Sequence, residues 1–542
     1  MKSTDDCPSM TRKRLQWRRW IAACLLSSAF LGGVGAVSFA QSVAIDSAMA
    51  PAGGDSLRRY HQLALPAQPL AAALAQFSAQ TGIKLLTVDT DLAGKTAAPV
   101  NGSYSALEGL TLLLMGSGLT FERGEDEFLR IKLLVTQVLR ASPVLQQAWS
   151  RYHRSIDEMR EKTEQAMVFQ DPRHRAKGYH ALIEAQAMAY NFAIAPRLDH
   201  PRIQEATGWQ TDFYTLGLNG PDGQYGVTFL DGRQSYRVRG RIGDVKIFMF
   251  QVFNGLMGSA QTKVIGNHVA ADFVRDADGR FEAIFSAEKH SGNWMQLDPD
   301  SSYNWVMIRR LMGDWNDDPG ELTIEMISKP DPHFYDYDEF DEAGIAARID
   351  RANGFYRYLV ESWNIGLYQM YLSLAAGRKN VLVPIPGTTA SQVGSPVSNY
   401  VNGIYEVADD EALIVELKEI PVTAAYWGFQ LSDAWFRSLD FVNRLSSINM
   451  DQAAIDSDGI VRAVISRDDP GVANWLDNTG HREGMLVFRN YAGTTMPIPT
   501  IRRVKFAELR KQLPADTRMV TPEQRRASIE ARQAGMLKLL GE

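Results

Sequence analysis

Four features occur twice along this chain, in the same order and at near-equal spacing. The first set is Ile247-Phe248-Met249-Phe250-Gln251-Val252, then Asp276-Ala277-Asp278-Gly279, Gly292-Asn293-Trp294, and Arg309. The second is Ala425-Tyr426-Trp427-Gly428-Phe429-Gln430-Leu431, then Asp456-Ser457-Asp458-Gly459, Ala473-Asn474-Trp475, and Arg489. Gln251 precedes Asn293 by 42 residues and Gln430 precedes Asn474 by 44. A duplicated β domain is expected. Around these marks the chain alternates at period two, as in Tyr236-Arg237-Val238-Arg239-Gly240, the pattern of strands with two unlike faces.

At 542 residues the chain is too long for one core, and roughly three or four domains are expected. The divisions follow changes of pattern. Residues 1–40 have a basic start (Arg12, Lys13, Arg14, Arg18, Arg19), an apolar run from Ile21 to Ala36, and small residues around Ser38-Phe39-Ala40. This is the pattern of a cleaved export signal, with a retained anchor as the alternative. Both cysteines, Cys7 and Cys24, fall inside it, so the mature chain would have no disulfide. Cleavage would leave 51 basic against 61 acidic residues, a net charge near −10. That balance argues against nucleic acid as a partner.

Residues 58–133 read as a compact βαβ unit followed by βαββ. Leu70 to Thr81 has helical spacing and stops at Gly82; Ser105 caps a second helix. Residues 134–213 are helical, 214–327 and 379–504 are the two β domains, and 328–343 is a linker. A long helix occupies 344–378, and 505–542 reads as a charged helical tail. Asp276-Ala277-Asp278-Gly279 is expected as a hairpin turn, because it lacks the ligand spacing of a calcium loop.

Two resemblances carry this further. Leu65-Pro66-Ala67-Gln68-Pro69-Leu70, Ala79-Gln80-Thr81-Gly82, Asn101-Gly102-Ser103-Tyr104-Ser105 and Leu113-Leu114-Met115-Gly116-Ser117-Gly118-Leu119 resemble the short N-terminal domain of secretins and TonB-dependent transducers. That resemblance implies a periplasmic module, possible outer-membrane association and docking to an envelope protein. No plug or array of barrel strands follows, so transport is not implied. The repeated Asp-Gly, Asn-Trp and Arg marks, with Pro470-Gly471 and Gly480-His481, resemble the "domain of unknown function 1214" family. It implies jelly-roll-like sandwiches and no settled biochemistry. The expected fold class is therefore α+β multidomain: a small βαβ-βαββ module, helical segments and two duplicated jelly-roll-like β sandwiches.

For the site, the plain reading of Asn293-Trp294 and Asn474-Trp475 is structural: Trp fills the core and Asn ties off loop amides. The functional reading gathers Asn474, Trp475, His481 and Arg489 at one end of the second sandwich, with Asn293, Trp294 and Arg309 as ligand contacts in the first. Arg would clamp a carboxylate, Trp would stack on a ring, and His481 would act as a base. Cofactor and metal signatures are missing: no HExxH, GxSxG, phosphate loop or GxGxxG after a strand occurs, and His174 and His180 are poorly spaced to share an ion. No cofactor or metal is expected. The leading expectation is an exported envelope protein that docks a partner and binds a ligand or surface. The alternatives are a periplasmic enzyme on an acidic carbohydrate or other small acid, and a structural scaffold.

Overall fold

A computed structural model describes residues 56–87, 92–123, 128–134, 141–206, 217–259, 261–328, 341–385 and 398–540. The expected export signal, Gly124, around which the last two strands of the 58–133 module are expected to form a hairpin, and most of the linker 328–343 lie outside the described residues. The chain divides into two compact units, residues 1–139 and 140–542. Its fold is α+β and multidomain, and among the described residues no sheet closes into a barrel.

The first unit contains β1 (Tyr60–Leu65), β2 (Gln68–Pro69), α1 (Leu70–Thr81), β3 (Leu85–Leu86), β4 (Thr96–Ala97), β5 (Val100–Ser105), α2 (Ala106–Leu114), β6 (Leu119–Arg123) and β7 (Leu129–Leu133). β1 pairs antiparallel with β5, and β7 lies between β3 and β6. Leu63, Leu65, Leu74, Phe77, Leu110 and Leu113 form its core. At Gly109 α2 lies close against β1, and an added Cβ would press on the Leu63 Cδ1 methyl. At the start of α2 the Ser105 hydroxyl accepts from the Glu108 amide while the Glu108 carboxylate accepts from the Ser105 amide, a reciprocal cap. Ser105→Ala is expected to cost about 1 kcal/mol of this unit's stability, measured by urea denaturation; an unchanged midpoint would mean that the cap contributes nothing.

In the second unit, α3 (Pro143–Gln165) and α4 (Arg175–Ala189) precede the first sandwich, and α5 (Glu342–Tyr358) and α6 (Leu367–Leu374) precede the second. The first sandwich has β8 (Gln204–Ala206), β9 (Gly223–Leu230), β10 (Tyr236–Arg241), β11 (Ile247–Phe253), β12 (Val264–Val269), β13 (Arg280–Ser286), β14 (Asn293–Gln296), β15 (Asn304–Leu311) and β16 (Glu321–Met326). The second has β17 (Val383–Pro384), β18 (Ser398–Glu406), β19 (Glu411–Leu417), β20 (Tyr426–Ser432), β21 (Ser447–Asn449), β22 (Val461–Ser466), β23 (Trp475–Asp477), β24 (Glu483–Tyr491) and β25 (Thr500–Lys505).

The two topologies coincide strand for strand. A five-stranded sheet runs β12-β11-β15-β9-β8 in one and β21-β20-β24-β18-β17 in the other; four-stranded sheets run β14-β13-β10-β16 and β23-β22-β19-β25. Even the parallel pairings of β13 with β14 and of β22 with β23 recur. Each sandwich has its own interior, around Phe248, Phe250 and Phe285 in the first and Val415, Phe429 and Phe488 in the second. The other face of each five-stranded sheet packs on the helices, in a core that joins Phe192, Phe355 and Trp363 to Phe229 and Trp305 of one sandwich and to Ile404, Trp435 and Met485 of the other. This explains why β9, β11, β15, β20 and β24 are buried along their whole length: both faces are covered.

Four expectations need correction. Gly279 does make a turn, with φ of 77°, but β12 and β13 on either side belong to different sheets, so it is no hairpin. The first β domain starts before residue 214, with β8 pairing on β9. The expected single helix at 344–378 is interrupted by a π-helical stretch, Leu359–Gly366. The tail is helical only over Pro522–Leu540, after a short 3-10 segment, Phe506–Gln512.

Candidate functional site

The repeated Gln and Arg marks are bonded partners. Across β11 and β15, Met249 faces Arg309 and Gln251 faces Met307; across β20 and β24, Gly428 faces Arg489 and Gln430 faces Val487. In each half the Arg therefore lies diagonal to the Gln on the same sheet face. Arg309 Nη1 donates to Gln251 Oε1 at 2.7 Å, and Arg489 Nη1 donates to Gln430 Oε1. Arg489 Nη2 also donates to the Leu218 carbonyl at 2.9 Å. The arginines are only 5% and 7% exposed.

Both guanidiniums line one cavity of about 100 Å³, between the five-stranded sheets and the helices. Tyr225, Tyr371, Tyr400, Tyr491, Asn219 and Asn402 supply its other polar groups; Met307, Trp363, Leu367 and Phe436 supply apolar wall. Trp363 comes from the π-helical turn, a distortion often found at functional sites. Among the described residues the lining contains no Asp or Glu. Burial opposes the charge of Arg489, yet the surrounding Tyr225, Tyr491, Tyr400 and Tyr426 outweigh it and its pKa lies above the ordinary value. Burial also raises the phenols of Tyr225, Tyr371 and Tyr491, which keeps them protonated. The Tyr225 hydroxyl accepts from the Gly220 amide at 3.1 Å, and that of Tyr371 accepts from Asn402 Nδ2 at 2.9 Å. Each of those hydroxyls accepts one bond and keeps its own proton to donate. The cavity is thus rich in donors and positive charge, the chemistry of an anion site. Two buried cations with no carboxylate among the described residues of their cavity are costly unless an anion joins them. A volume of 10–15 Å³ suffices for one water, so about 100 Å³ admits a small organic acid.

The other expected residues go elsewhere. Asn474 Nδ2 donates to the carbonyls of Ala454 and Arg462 at 2.7 and 3.0 Å, and its Oδ1 accepts from the Ala454 amide. Asn293 does the same with Val274 and Glu282. These are loop ties. Trp294 and Trp475 do not fill the sandwich interiors as expected: Trp294 is half-buried against Ser286 Oγ, and Trp475 lies beneath the Arg525 guanidinium at 5.3 Å. His481 sits in the turn before β24, its Nδ1 beside Thr479 Oγ1 and the Asn478 carbonyl. Burial lowers its pKa. Arg489 is six residues into β24, so roughly 20 Å of strand separates it from that turn. His481, Asn474 and Trp475 therefore do not gather at Arg489.

A second cluster escaped sequence reasoning, since its members are some 310 residues apart. Asp171, His174 and Glu483 bring possible ligand atoms within 4.8 Å of one another. His174 is 3% exposed, and its Nε2 lies 3.9 Å from Glu483 Oε1. The carboxylates are already committed, however. Arg173 binds Asp171 through two nitrogens; Lys379 Nζ is 2.9 Å from Glu483 Oε2, and Tyr368 donates to Oε1. A divalent ion would have to displace two cations, so the arrangement is an ion-pair network that ties the helices to the second sandwich.

No family model matches the chain, and no curated protein does. Among solved structures it is similar to an uncharacterised protein from Burkholderia cenocepacia, at 26% identity and a TM-score of 0.60, over 68% of this chain and 99% of that one. Weaker matches are the VPA0106 protein of Vibrio parahaemolyticus (14% identity, TM-score 0.35, 60% of this chain and 96% of that one) and pyoverdine-bound FpvA of P. aeruginosa (23% identity, TM-score 0.13, 14% of this chain and 10% of that one).

Proposed function

We propose that this chain is an exported envelope protein that binds a small organic anion between its two β sandwiches. The observation that carries this reading is the pair of buried arginines, Arg309 and Arg489, held by Gln251 and Gln430 in one cavity with no acidic residue among its described lining residues. Export rests on the signal pattern of residues 1–40, and a periplasmic, envelope-docking role for residues 58–133 rests on their resemblance to the secretin and TonB-transducer module. The duplicated sandwich would belong with the domains of unknown function that its motifs resemble. An enzyme built on His481 and Arg489 loses its support, because the two stand at opposite ends of β24. A scaffold role would leave the two buried charges without a purpose.

The test is native mass spectrometry of the chain purified gently from the periplasm. A bound small acid is expected, released on denaturation and missing when Arg489 is replaced by Met. A bound mass that survives both Arg309→Met and Arg489→Met would place the ligand elsewhere and end this reading.

A further inference from the structure

Resting on that anion-binding reading, we propose that the acid is a small 2-hydroxy acid, its carboxylate held by the arginines and its hydroxyl by Asn402. Asn402 is 2% exposed and lines the cavity; its Nδ2 is used by Tyr371, while its Oδ1 has no partner among the described residues. A buried acceptor left unpaired is costly, and a ligand hydroxyl would satisfy it. Asn219, 4% exposed in the same lining, likewise has an unpaired Nδ2, a donor suited to a carboxylate or hydroxyl oxygen.

Register places the two functions one small molecule apart. Across β18 and β24, Tyr400 faces Arg489 and Asn402 faces Val487. Asn402 is thus diagonal to Arg489 on the side of β24 opposite Gln430, with Cα atoms roughly 7–8 Å apart. A carboxylate on the guanidinium and a hydroxyl on the adjoining carbon span that gap. The first half offers no equivalent: across β9 and β15, Tyr225 faces Arg309 and Val227 faces Met307. Val227 occupies the position of Asn402, so at this register position only the second half offers an acceptor for the hydroxyl proton. This asymmetry gives the ligand one orientation between otherwise repeated halves. An amine is disfavoured in the hydroxyl's place, because two arginines would repel an ammonium. The apolar wall of Trp363, Leu367, Phe436 and Met307 suits a short alkyl substituent.

Isothermal titration of the full chain with propionate, lactate and alanine tests this. Lactate is expected to bind about tenfold tighter than propionate, the effect of one buried hydrogen bond, and alanine more weakly than lactate. Asn402→Leu, close to isosteric, is expected to bring the lactate-to-propionate ratio to about one. Equal affinities of the native protein for lactate and propionate, or tighter binding of alanine, would overturn the hydroxy-acid assignment while leaving the anion site standing. Binding of none of the three would overturn both.

Discussion

Replacing both cavity arginines, Arg309→Met with Arg489→Met, is expected to abolish the stabilisation that a bound acid gives this protein. A ligand that binds only the folded state adds RT ln(1 + [L]/Kd), about 2.7 kcal/mol at one hundred times Kd. The native chain should show that gain in urea denaturation as lactate is raised against chloride at constant ionic strength. The double variant should show none. The reason is electrostatic: a carboxylate entering a buried cavity keeps its charge only against fixed cations, and among the described residues the lining holds no others. Without ligand, two effects oppose each other in the variant. Removing a buried guanidinium relieves its desolvation, while Gln251 and Gln430 each lose one hydrogen bond to Oε1. The dependence on acid concentration is therefore the readout, since a purely structural role for the arginines would leave it unchanged. A double variant that still gains about 2.7 kcal/mol would show that the acid binds elsewhere.

The sequence carried the duplication because the repeated marks are positions with a fixed physical task. Asn293 and Asn474 must each tie two carbonyls and one amide of a neighbouring loop, and only a short side-chain amide does both. Gln and Arg recur because each pair forms a diagonal cross-strand bond. Their meaning was less legible. β11, β15, β20 and β24 are buried on both faces, so their runs lack the alternation that would tell which face Arg309 and Arg489 occupy. Nothing local marks Tyr225, Tyr371 or Asn402 as companions of those arginines, because they arrive from β9, α6 and β18 only when sheets and helices pack. Likewise, His481 and Arg489 are near neighbours in sequence, and an extended strand is the conformation that holds near neighbours furthest apart. The same long separation hid the network at Glu483, whose partners come from α6, from the turn before α4 and from the start of the second sandwich.

That network should make the fold acid-sensitive. Glu483 is 4% exposed in its side chain. Burial alone would raise its pKa, but His174, Tyr368 and Lys379 together bring it from 4.5 down to about 2. A carboxyl more acidic in the folded than in the unfolded chain stabilises the fold above the unfolded value and loses that contribution as pH falls through the folded one. The contribution is therefore complete above about pH 4.5 and disappears between there and about pH 2. A shift of this size corresponds to about 3 kcal/mol as an upper figure. Glu483→Gln is expected to lose about that much at pH 7, where Lys379 and Arg173 are left facing a neutral amide. Other carboxylates will lower the stability of both proteins in acid, so the difference between them is the quantity to follow. Urea denaturation at pH 7, 4.5 and 2.5 should show a gap of about 3 kcal/mol that holds to pH 4.5 and shrinks by more than half at pH 2.5. A gap that is constant across the three would mean that Glu483 acts through shape and hydrogen bonding alone, and that its charge does not hold the helices to the second sandwich.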